Sequence, residues 1–170
     1  MAFSLHAALV PSWLQIIGAA RVWLAKAVES GIAEQELIEA RLIPDMLPFR
    51  HHLRSIATHS AGAIAAVREG IYTSDLTPSP TRLAALDAAL AEAATCLEAI
   101  GEDDMADLIG RPMCLRVGEH RIDFSAEDFL LSFSQPSFYF HATTAYDLLR
   151  MKGVSLRKLD FVGVVRAQPD

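Results

Sequence analysis

Apolar residues recur at helical spacing along most of the chain. Trp13, Ile16, Ile17, Ala20, Leu24, Ala27 and Val28 follow the i, i+3, i+4, i+7 rule. They predict a first helix from about Leu5 or Pro11 to Ser30, ended by Gly31. A short helical piece, AEQELIEA, comes next, then RLIPDMLPF. Its Pro44 and Pro48 suit a turn and the opening of a helix but not a helix interior. Phe49, Leu53, Ile56, Ala63, Val67 and Ile71 predict a second helix from near Pro48 to Gly70. YTSDLTPSPT has the composition of a loop. Leu83, Leu86, Leu90, Ala94 and Leu97 predict a third helix from about Thr81 to Ile100, and GEDDMADLIGRP reads as irregular.

The period then changes. Met113, Leu115 and Val117, then Ile122 and Phe124, alternate around Gly118 and Glu119, which predicts a small hairpin. Ser125 and Asp128 resemble a capping box at the head of a last helical segment. That segment runs to Lys152, with Pro136 kinking it or restarting it after a break near Ser134. Gly153 closes it, and VSLRKLDFVGVVRAQPD forms a tail, ordered and then fraying. Neither an internal repeat nor a linker interrupts this pattern. Four long amphipathic segments and one hairpin insert define an all-α bundle, a single domain over residues 1–170.

Composition sharpens this picture. Hydrophobic residues make up 52% of the 170 positions and mean hydropathy is +0.26. Much of this is alanine, which suits closely packed helices. No stretch approaches the roughly 20 uninterrupted apolar residues of a membrane span. The N-terminal segment lacks a basic leader, and His6, Pro11, Gln15 and Arg21 break its apolar run, so it reads as a mature helix rather than a signal peptide. A net charge of −6 without a basic cluster argues against nucleic acid as a partner. Cys96 and Cys114 lack the number for a disulfide framework and the spacing for a metal site, and a cytoplasmic location is expected.

The histidines carry the candidate chemistry. His6 and His120 lie near a terminus and at the hairpin turn. His51 and His52 are adjacent and point about 100° apart on a helix. His52 and His59 share a face but lie about 10 Å apart along the axis, too far for one metal without a bridge. His141 sits in the stripe of Phe133, Ser137, Phe140, Thr144 and Leu148 and should point inward. Three readings of it stay open: a core imidazole bonded to a carbonyl or carboxylate, a metal ligand with His52 and a further donor, or the base of a metal-free polar pocket. Tyr139 and Thr144 could line that pocket, and so could Asp45, though Arg41 and Asp45 also suit a structural ion pair or cap at a turn.

ARLIPDMLPF, from Ala40 to Phe49, and FYFHATTAYDLLRMKGVSLRKLDFVG, from Phe138 to Gly163, resemble the bacterial domain-of-unknown-function family number 1993, grouped with the DinB/YfiT-like four-helix bundles. The resemblance spans nearly the whole chain, including the hairpin before the last long helix. It implies a divalent metal, zinc or nickel, held by one histidine of the second helix and an HxxxH pair of the fourth, serving thiol-dependent transfer or isomerisation in some members. On that pattern His52 and His141 are the ligands, with His141 also the candidate catalytic group. Ser137 and Ala145 stand where the fourth-helix partner of His141 would be.

Two functional expectations follow. The first is a ligand-binding or dimeric structural protein on a degenerate metalloenzyme scaffold. The second is a metal-dependent transferase or isomerase using His141 and His52. A homodimer and a small-molecule ligand are the expected partners, with neither nucleic acid nor membrane. Trp13 and Trp23, ten residues apart, should face different sides of the first helix, making one of them a candidate interface anchor.

Overall fold

A computed structural model describes residues 3–74 and 77–167. Helix α1, Leu5–Glu29, is capped by Ser4, whose hydroxyl accepts from the Ala7 amide. It is long and apolar enough to cross a membrane by length and composition, and half of its apolar window is buried inside the bundle. The short α2, Glu34–Ile38, leads through the proline-bearing turn to α3, Phe49–Thr58. Helix α4, Ala61–Glu69, ends at Gly70 in the left-handed conformation, φ 76°. Strand β1, Ile71–Thr73, follows. Residues 75 and 76 of the predicted 72–81 loop, and the last three of the tail, lie outside the described residues.

The third predicted helix is α5, Leu83–Glu98, and the acidic stretch after it holds a short α6, Glu102–Ala106. The predicted hairpin is β2, Pro112–Val117, paired antiparallel with β3, His120–Ser125, with Leu115 opposite Ile122. A single turn, α7 (Ala126–Asp128), capped by the Ser125 hydroxyl, runs into a π-helical turn, Phe129–Ser134. That turn continues into α8, Gln135–Met151, and α9, Lys158–Val162, closes the chain. Helix α3 packs on α8 and α5, and α1 on α5, α8 and α9. The result is the expected bundle with a small β element ahead of its last long helix.

Three local features depart from the sequence reading. The second helix is two helices, because Ser60 leaves helical geometry (φ −121°, ψ −95°) and turns its hydroxyl back onto the Ile56 carbonyl. The hairpin is part of a three-stranded sheet, since β1 lies parallel to β2 with Tyr72 beside Leu115. Three residues are too few to show alternation, so Ile71 blended into the preceding helical stripe. Pro136 causes no break: it sits in the first turn of α8, where a missing amide costs nothing, and the irregularity falls just before it.

Both tryptophans are fully buried, which corrects the expectation that one of them anchors an interface. Trp13 lies 6.0 Å from Phe138, centroid to centroid. Trp23 is covered from within the chain by α9. Its ring stacks on Phe161 at 5.5 Å and its indole N–H donates to the Asp160 carbonyl at 2.7 Å. Lys26 holds the Asp160 carboxylate at 2.6 Å, and Gln15 donates to the Val162 carbonyl. The charge and amide partners on α1 are thus matched to a short helix 130 or so residues later, a pairing with no signature in local periodicity.

Gly163 sets how closely that strap approaches. Its backbone, φ 66° and ψ −148°, lies in a region open essentially to glycine alone. A Cβ there would meet Ala19 Cβ at 3.1 Å and the Gln15 carbonyl at 3.3 Å. Gly163→Ala should therefore cost about 1–3 kcal/mol and loosen α9. Chemical denaturation with Trp fluorescence checks this, and an unchanged midpoint with unchanged emission would contradict it.

Candidate functional site

Helix α3 and its C-cap bring five functional side chains to one end of the bundle within three turns. Arg50 and Arg54 are one turn apart, His51 sits between them, and His52 points the other way, into the core. His59 ends the helix, and its carbonyl accepts from the buried Ser134 hydroxyl at 2.9 Å. The helix break at Ser60 is thereby tied to the π turn. Such turns re-aim the residues they carry, and this one sets Phe133 5.7 Å from His59 and 5.9 Å from Tyr72. Strand β1 supplies Tyr72, whose ring stacks on His59 at 5.7 Å.

Across from α3, α8 supplies His141. Its Nδ1 lies 3.0 Å from His52 Nδ1, and His52 Nε2 lies 3.0 Å from the Leu47 carbonyl. The His141 ring is also nearly parallel to His59, centroids 5.5 Å apart. His52 and His59 thus flank His141 from either side, although neither is near the other along the helix.

These elements enclose a cavity of about 580 Å³, open on one side. Arg41, Arg50, Arg54, His51, His59 and His141 lie on its wall, with hydroxyls from Ser55, Thr58, Tyr72, Ser74 and Thr77. Among the described residues no carboxylate lines it. Arg54 donates to the Thr77 carbonyl, Arg41 to the Met46 carbonyl, and Arg50 faces Glu39 at 3.3 Å. Backbone carbonyls and Glu39 thus hold the arginines at the cavity wall.

The electrostatics follow from this placement. Burial pushes His141 down to about 3 and His59 down to about 4, each deepened by neighbouring imidazoles. His51 is lowered by burial and then by the positive charges of Arg54 and Arg50, and His52 by burial against the support of its Leu47 bond. Four imidazoles are neutral near pH 7 in a cationic setting. His59 Nδ1 is buried, with no hydrogen-bond partner among the described residues.

The sequence-predicted residues divide cleanly. His52 and His141 come together as expected. Asp45 is exposed on the turn before α3, Tyr139 packs edge-on against Phe138, and the buried Thr144 hydroxyl returns to the Phe140 carbonyl. None of these three lines the cavity. Sequence reasoning set His59 aside as too far from His52 and gave Arg41 a structural role first, and it missed Tyr72, Phe133, Arg50 and Arg54 as cavity residues. The RHHLR run was the available signal for Arg50 and Arg54.

The metal implied by the resemblance can be tested against these donors. A catalytic zinc takes three protein ligands, each with a lone pair aimed at the ion. His52 and His141 instead aim their Nδ1 atoms at each other across a hydrogen bond, which requires a proton between them. Among the described residues no group of three or more His, Cys, Asp or Glu side chains is placed to hold a metal. The described residues do not make up such a site.

With this geometry in view, the comparisons with known proteins define the class. The chain belongs to the family described as "Domain of unknown function (DUF1993)", matched over residues 5–162. It superposes on the crystal structure of a DinB family member from Shewanella denitrificans with a TM-score of 0.78 and 21% identity, over 98% of this chain and 96% of that one. That likeness establishes the fold. No curated protein matches the sequence.

Neutral buried histidines make stability depend on acid. His59 and His141 each have a folded-state pKa below the ordinary value of 6.5, so the unfolded chain binds protons first as pH falls. Their stabilisation is complete above about 6.5 and is lost between there and about 4 to 3. Unfolding free energy should drop on the order of a few kcal/mol over that window. In His59→Phe the slope should be shallower. Urea titrations across pH decide it, and a wild-type profile as flat as the variant's would contradict the assignment.

Proposed function

We propose that the chain is a small-molecule-binding bundle whose cavity takes a small organic anion, a carboxylate or a phosphate. One observation carries this reading: three arginines converge on a cavity of about 580 Å³ in a chain of net charge −6. The volume lies within the range of ligand pockets. Guanidinium groups offer only donors and match planar oxyanions in pairs. The hydroxyls and the neutral imidazoles of the wall add polar contacts without opposing charge.

The reading does not require catalysis. It is a sharper form of the ligand-binding expectation drawn from the sequence. The alternative, thiol-dependent transfer on a divalent metal bound by His52 and His141, draws only on the close approach of their Nδ1 atoms. The homodimer expected from the sequence remains part of the proposal. Exposed Leu47 and Phe140, beside the cavity and His52, would support it, with light scattering as the check.

Isothermal titration with small carboxylates and phosphates tests the reading. Binding should weaken as salt rises. Arg50→Gln and Arg54→Gln should each lower affinity by about tenfold or more, the loss of a charge-assisted hydrogen bond. Failure of every such anion to bind would sink it. Elemental analysis beside it tests the alternative: one equivalent of zinc or nickel, lost in His141→Ala, would favour the metal.

A further inference from the structure

We infer that the cavity selects organic anions that also carry a hydroxyl, because the His52–His141 pair presents His141 Nε2 to the cavity as a fixed hydrogen-bond acceptor. This rests on the anion reading above and adds a specificity to it. Three steps lead there. The Leu47 carbonyl can only accept, so His52 Nε2 carries the hydrogen of their 3.0 Å bond. A neutral imidazole has one N–H, so His52 Nδ1 is bare and accepts, and His141 Nδ1 donates to it across 3.0 Å. His141 is then left with a bare Nε2.

Among the described residues that nitrogen has no hydrogen-bond partner, yet it is not among the sealed, unpartnered polar atoms. His141 lines the cavity, whereas His52 does not. The Nε2 lone pair therefore faces the cavity. The arginines answer the ligand's charge with donors, and His141 answers a donor on the ligand with an acceptor.

A ligand of the right skeleton without the hydroxyl would leave the nitrogen dehydrated and unpaired.

Matched pairs test this directly: malate with succinate, citrate with tricarballylate, and glycerol 3-phosphate with propyl phosphate. Calorimetry near neutral pH should show at least one pair with about a tenfold preference for the hydroxylated member. The preference should vanish in His141→Phe. Nitrogen-detected NMR of the wild-type imidazoles should find His141 protonated on Nδ1 and bare on Nε2, whatever the variant's folding. Equal affinities within every pair, or a protonated Nε2, would overturn the inference while leaving the anion site standing. Absence of all anion binding would overturn both.

Discussion

The hydrogen bond between His52 and His141 joins the two helices on which the site is built. It spans 3.0 Å between α3 and α8 and is anchored at one end by the Leu47 carbonyl, in the turn that introduces α3. Its existence demands a bare nitrogen on one of the two rings, so both cannot be protonated together. The rings of Phe140 and His59 pack against the pair. The joining of α3 to α8 at the site and the orientation of both imidazoles follow from this one contact.

The scaffold around it divides into a rigid and an adapted part. Helices α1, α5 and α8 follow simple amphipathic packing, and α9 straps over Trp23 to complete the core. The end of the bundle that carries the cavity is where regular geometry gives way. The break at Ser60, the π turn over Phe129–Ser134 and the added strand β1 all lie there. Each re-aims one side chain, His59, Phe133 and Tyr72 respectively, and the three rings pack together. A bundle of unbroken helices would leave that corner either solid or open.

Much of the fold was legible because helical periodicity is a local signal. The stripes of α1, α5 and α8 and the alternation in β2 and β3 could be read within a dozen residues. His52 and His141 were also legible as inward-facing partners, since each lies on an apolar stripe. What was hidden depends on long-range contact. Three residues of β1 gain their identity only by pairing with β2, across α5 and α6. His59 seemed too far from His52 to share a centre, and along the helix it is, but His141 enters between them from α8. The burial of Trp23 depends on α9, which has no sequence relation to it. Arg50 and Arg54 flank the histidines in sequence, but only the loop after β1, held through Thr77, turns their side of α3 into a wall.

An anomalous-scattering experiment on crystals of the tag-free protein soaked with zinc and selenate together tests the central claim most directly, because the two elements are separated at their absorption edges. A selenium peak among Arg41, Arg50 and Arg54, with none from zinc between His52 and His141, is the predicted result. A zinc peak about 2.0–2.1 Å from both Nδ1 atoms, with no selenium in the cavity, would contradict the account and restore the metal reading.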